Sequence, residues 1–210
     1  MIVAGKLNVI ALAIVVVSAL GASTASATVV LDQDFFPAQE VNSLVDCSSP
    51  EFSYGATQTF TVGQAGVLDS VEIQAFAFSL TEMRILQTSG GVPIGGAAGS
   101  IVLASSTLMS TLPDDVYRFD LSGAGLNVSV GDVLAIEPID DLMGAGLWAG
   151  HTNANYPGGR AFTFNTSNSD WTPHLFAEDM RFRTYVNVPE PASAALVMVG
   201  GLMLASRRRR

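Results

Sequence analysis

Apolar and polar side chains alternate in short runs along most of the chain, and no convincing stretch carries the spacing of an amphipathic helix. In "QTFTV", Phe60 and Val62 share one face and Thr59 and Thr61 the other. "VEIQAFAF" places Val71, Ile73, Ala75 and Ala77 opposite Glu72, Gln74, Phe76 and Phe78, the pattern of a strand covered on both faces at its end. "VYRFDL" sets Tyr117, Phe119 and Leu121 against Val116, Arg118 and Asp120. "DVLAIEPI" follows a turn at Gly131-Asp132, "RAFTF" follows Pro157-Gly158-Gly159, and "MRFRTYV" sets Phe182, Thr184 and Val186 opposite Arg181, Arg183 and Tyr185. Clusters of Gly, Pro, Asn and Ser separate these runs. They predict an all-β fold, an antiparallel β-sandwich of jelly-roll-like type with its first and last strands side by side.

Both ends break the alternation. Lys6, the apolar run Val9 to Leu20 and the small residues Ala25-Ser26-Ala27 have the three parts of a signal peptide, which predicts a mature start at Thr28. The only cysteine, Cys47, is too far along for a lipid anchor and leaves no partner for an intramolecular disulfide. At the other end, Pro189-Glu190-Pro191 precedes an apolar segment, Ala192 to Ala205, and the cluster Arg207, Arg208, Arg209 and Arg210. As a helix the segment would reach about 21 Å, short for a hydrocarbon core of about 30 Å. The arginines supply a stop-transfer, positive-inside signal, and the prolines keep the preceding segment extended and exposed. The chain thus divides into a signal peptide (1–27), a β-sandwich domain (28–188) and a C-terminal transmembrane sorting helix with its recognition segment (189–210).

The triplet, apolar stretch and arginine cluster, in that order, closely resemble the PEP-CTERM sorting signal of Gram-negative bacteria that make extracellular polysaccharide. The resemblance implies that Pro189, Glu190 and Pro191 are recognised by exosortase, an integral-membrane cysteine transpeptidase. Exosortase would remove the tail and pass the protein to the cell surface or matrix. Signal peptidase would act first, and the inner membrane would hold the C-terminal helix transiently. The progression from "TQTFTV" through "LDSVEIQAFAF", "VYRFDLSGAGLNVSVGDVLAIEP" and "NYPGGRAF" to "EDMRFRTYV" is similar to the sandwich domains of such proteins, to which no catalytic set attaches.

Charge narrows the partners further. Residues 28–188 contain eighteen carboxylates, five arginines and no lysine, a balance of −13 that would repel nucleic acid and anionic headgroups. Chemistry is sparse: His151 and His174 are the only histidines, and neither a nucleophile elbow nor a phosphate loop occurs. Glu137, Asp140 and Asp141 are candidate calcium ligands, calcium being the one cofactor the acids suggest. The same three residues, or Asp170 with Glu178 and Asp179, supply a candidate glycosidase pair. Trp148, Tyr156 and Trp171, in a loop-rich stretch with His151, Asn153, Asn155, Asn165 and Asn168, are candidate sugar-stacking rings. The reading that follows is a noncatalytic surface or matrix protein of the polysaccharide layer. A carbohydrate-binding module is the alternative, and a polysaccharide hydrolase a more remote one.

Overall fold

In a computed structural model of the 210-residue chain, the described residues are 27–38, 43–46, 55–77, 80–95, 100–140, 146–152, 154–165, 170–174 and 179–190. The signal-peptide core and the apolar tail with its arginines lie outside them. Val29–Val188 form one compact unit.

Among the described residues every regular element is a strand apart from one short 3-10 turn, Ser122–Ala124. The first six strands are β1 (Ala27–Phe35), β2 (Ser43–Asp46), β3 (Ala56–Thr61), β4 (Gly66–Ala77), β5 (Leu80–Ser89) and β6 (Val92–Pro93). Five follow in the middle: β7 (Val102–Ser106), β8 (Met109–Leu112), β9 (Val116–Asp120), β10 (Asn127–Val128) and β11 (Val133–Asp140). The last five are β12 (Gly146–His151), β13 (Ala161–Asn165), β14 (Asp170–Pro173), β15 (Asp179–Met180) and β16 (Phe182–Pro189).

They form two antiparallel sheets. One runs β1-β16-β4-β12-β15, with β9 and β10 also on β4, β8 on β9 and β2 on β12. The other runs β14-β13-β3-β11-β5-β6, with β7 also on β5. The first and last strands are therefore neighbours, as the sequence predicts. Phe35 packs on Phe182, and Asp34 and Asp32 contact Arg183 and Thr184, so β1 runs antiparallel to β16.

The core lies between the sheets and is built from the faces the alternation assigned. Phe60 and Val62 of the second sheet meet Val71, Ile73 and Ala75 of β4, Phe119 of β9, and Phe182 and Val186 of β16, all buried. Each of the larger of these side chains, taken wholly out of water, stabilises the fold by about 1.5–3 kcal/mol. One core residue escapes simple alternation. Leu68 and Val71 both face inward although an odd number of positions separates them. The ladder explains this: Ser70 pairs with Tyr185 and Leu68 with Val186, leaving Asp69 as the extra residue of a bulge that resets the phase of β4.

The second sheet is covered on its outer face as well, where Leu86, Ala135, Phe162 and Trp171 form a smaller apolar cluster. Beside it, the turn from Tyr156 to Arg160 lies flat on β3. Thr59 Oγ1 accepts from Arg160 N at 2.9 Å, Thr59 N donates to Arg160 O at 3.0 Å, and Thr61 Oγ1 donates to Gly158 O at 2.7 Å. This approach leaves no room for a side chain at Gly159, where a Cβ would collide with the Thr59 carbonyl.

Gly159→Ala should therefore destabilise the domain by about 2 kcal/mol or more, as overpacking against rigid backbone does. Gly123→Ala, with nothing near its Cβ position, should stay within about 0.5 kcal/mol of wild type. Urea denaturation of the two variants checks the difference.

Candidate functional site

The three aromatic residues singled out by the sequence are all interior. Trp148 is 0% exposed, Trp171 4% and Tyr156 6%. Trp148 lies on β12, where that strand pairs first with β4 and then with β15. Its indole Nε1–H donates to Arg181 O at 2.9 Å, in the break between β15 and β16, so the ring plugs the point where two strands part. Tyr156 packs edge-on against Phe182, with centroids 5.0 Å apart, and its hydroxyl donates to Gln33 Oε1 at 2.7 Å. Trp171 belongs to the other cluster, edge-on to Phe164 at 5.4 Å. The three rings are not brought together in one platform. The rings occupy two separate apolar clusters, and burial leaves none of them an open face.

Of the candidate calcium ligands, Glu137 and Asp140 are buried on β11 and Asp141 lies outside the described residues. Where the register shifts near them, the extra residue is Thr81 on β5. β11 itself stays regular, so positions three apart point to opposite faces and the two acids do not converge. Glu137 pairs across the ladder with Arg84. The pKa of Arg84 is raised chiefly by its hydrogen bond to Glu82 and further by the charge of Glu137. No group of three or more His, Cys, Asp or Glu suited to a metal ion occurs among the described residues. His151 is buried on β12, and His174 is half-buried, its pKa lowered by burial. In the second acidic group, Asp170 is exposed and Asp179 fully buried, while Glu178 lies outside the described residues. Asn155 is exposed, whereas Asn153, Asn168 and the side chain of Asn165 are outside the described set.

Two polar assemblies were not anticipated. Inside, Asp179 Oδ1 accepts from Gln58 Nε2 at 2.8 Å and Oδ2 from Tyr156 N at 2.6 Å, while Met180 N donates to Gln58 Oε1 at 2.8 Å. Outside, across the first sheet, Glu72 sits between Arg118 at 3.6 Å and Arg183 at 3.5 Å. Arg118 also reaches Asp69, and Arg183 reaches Asp34. Arg118 stacks on Tyr185 and Arg183 on Phe36. Alternation marks Glu72, Arg118 and Arg183 as outward-facing, but only the strand order β9-β4-β16 brings them together. Gln58 did carry a signal, since it occupies the same phase as Phe60 and Val62 on the core face of β3.

Shallow concavities flank both assemblies. On the first sheet, one of about 610 Å³ is lined by Phe36, Gln74, Arg181 and Arg183 among others. Arg181 is largely occupied there, donating to Gln74 Oε1 at 2.7 Å and Pro37 O at 3.1 Å, and burial lowers its pKa. On the second sheet, concavities of about 490 and 390 Å³ meet at Gly159 and Arg160. Comparison with known proteins adds nothing to this geometry: no family model, curated protein or solved structure matches the chain.

Burial pushes the Tyr156 phenol up to about 12; a backbone hydrogen bond at Thr61 opposes the shift, and the charges of Asp32 and Asp179 add to it. A tyrosine in the unfolded chain ionises near 10, so it sheds its proton before the native one does. The contribution of Tyr156 is therefore complete below pH 10 and is lost as pH rises towards about 12. Urea midpoints at pH 9 and pH 11 should fall less in Tyr156→Phe than in wild type. Tyr185, also raised by burial, retains its share of the alkaline loss in both proteins.

Proposed function

We propose that residues 28–188 are the noncatalytic cargo domain of an exported surface or matrix protein, with Pro189, Glu190 and Pro191 as its exosortase recognition segment. The observation that carries this reading is the exit of the last strand. β16 keeps its ladder with β4 as far as Asn187, and Pro189 and Glu190 then emerge exposed. Pro189 ends β16, and a proline cannot donate to a ladder and disfavours helix before it, which favours extended backbone at the recognition segment. That is the form a transpeptidase cleft takes up. On this reading, signal peptidase removes residues 1–27, and Arg207 to Arg210 hold the tail at the cytoplasmic face of the inner membrane. The released domain then joins the polysaccharide layer.

The jelly-roll-like form of the sandwich is part of the proposal. It is supported by two antiparallel sheets with β1 beside β16. The noncatalytic role is supported by the engagement of the carboxylates. Asp179 is held by scaffold donors through both oxygens, Glu72 by two arginines and Glu82 by Arg84. An acid fixed in this way is poorly placed to exchange a proton with a substrate.

Co-expression with exosortase and intact-mass measurement of the surface fraction tests the route. The wild-type product should have lost the tail next to Pro189-Glu190-Pro191. Alanine at all three positions should leave tail-bearing protein in the membrane fraction; normal processing of that variant would defeat the proposal.

A further inference from the structure

The arginines of the domain are not used alike. Arg84, Arg118 and Arg183 face carboxylates, and Arg181 is buried among hydrogen-bond acceptors. Arg160 is exposed, and its guanidinium has neither a carboxylate partner nor a hydrogen bond among the described residues. It lies over the ring of Phe162, 5.7 Å from the centroid. It also stands where two concavities join. The larger, about 490 Å³, crosses the outer face of the second sheet from Trp171 and Pro173 to Gly90-Gly91 at the β5–β6 turn. The smaller, about 390 Å³, is lined by Asn155, Ala161 and His174 as well. Among the described residues no carboxylate lines either one, although the domain contains eighteen. The same groove includes Trp171, whose indole Nε1 is buried and has no acceptor among the described residues.

One groove thus contains a cation without an anion and a donor without an acceptor. An orphaned buried donor is destabilising, and a ligand oxygen that meets it recovers part of that cost. We propose that this groove binds a carboxylated sugar, a uronic acid unit, with its carboxylate on the Arg160 guanidinium. The planar fork of arginine matches a carboxylate through two parallel hydrogen bonds. A sugar is favoured over an extended peptide because β13, β3 and β11 beneath the groove are each paired on both sides, leaving no ladder for a peptide backbone to join. Gly90, Gly91, Gly158 and Gly159 contribute walls without side chains, and Val92, Pro157 and Pro173 give apolar patches for pyranose C–H groups. The volume lies in the range of small-ligand sites, about 300–1,000 Å³. Recognition works through charge and hydrogen bonds rather than ring stacking, since Phe162 lies beneath Arg160 and Trp171 is buried. The negative field of the domain opposes a long polyanion, which limits the ligand to one or a few units. The inference does not rest on the sorting route, and either can fail without the other.

The chain has two tryptophans, so the ¹⁵N-labelled full-length protein in detergent gives two indole N–H resonances, assigned with Trp171→Phe. On titration with trigalacturonate the Trp171 resonance should move saturably. The Trp148 resonance, fixed on the Arg181 carbonyl, should stay. Maltotriose and triglutamate should move neither, and Arg160→Gln should weaken binding by about tenfold or more while the backbone spectrum keeps its native dispersion. An unmoved Trp171 resonance, equal binding of maltotriose or triglutamate, or unchanged affinity in natively dispersed Arg160→Gln would each overturn the proposal.

Discussion

A carboxylate without access to water has to be satisfied by the protein around it, and Asp179 is satisfied from two directions. Gln58 reaches it from the second sheet, and the backbone N–H of Tyr156 reaches it from the turn before β13. The carbonyl of the same glutamine amide accepts from Met180 N, next to Asp179. Removing one partner from such a set leaves a buried polar group that costs several kcal/mol, so β3, β15 and the turn are fixed together. Much else depends on that arrangement. With its nitrogen held, Tyr156 lies against Phe35 and Phe182 at the β1–β16 seam, and the residues after it settle onto β3 closely enough to require glycine at 159.

Most of the fold was legible because one face of each sheet is a shared core. Phe60 and Val62, Val71 to Ala75, Phe119 and Leu121, and Phe182 to Val186 all point where their alternation says. Legibility failed where the chain leaves period two or where both faces are covered. Leu68 is out of phase until the Asp69 bulge is known, and a bulge depends on the partner strand. Trp148 and Trp171 looked like loop residues because glycine, asparagine and serine surround them, yet each lies on a short strand in a separate cluster. Glu137 and Asp140 looked convergent because they are close in sequence; on a regular strand that spacing sends them to opposite faces. Arg160 carried no signal of its own, since an arginine without a partner is recognised only once every other pairing is known.

The placement of charge follows from this packing. A domain with a balance of −13 concentrates Arg118 and Arg183 on Glu72, a largely buried acid that would otherwise be destabilising at the centre of the first sheet. Their ring contacts with Tyr185 and Phe36 let the guanidinium groups cover apolar surface while they neutralise the acid. These cations are structural, and on the second sheet Arg160 is, among the described residues, the cation left over.

β16 comes last in the chain but lies inside its sheet, between β1 and β4. For a polypeptide made from its N-terminus, the earliest strand has no neighbour on its inner side until β16 arrives, and one side of β4 stays open for the same interval, while β9 already pairs along its other side. Pairings that span so much sequence form slowly and late. In such a domain the edge strand β1 joins the first sheet only once β16 is in place.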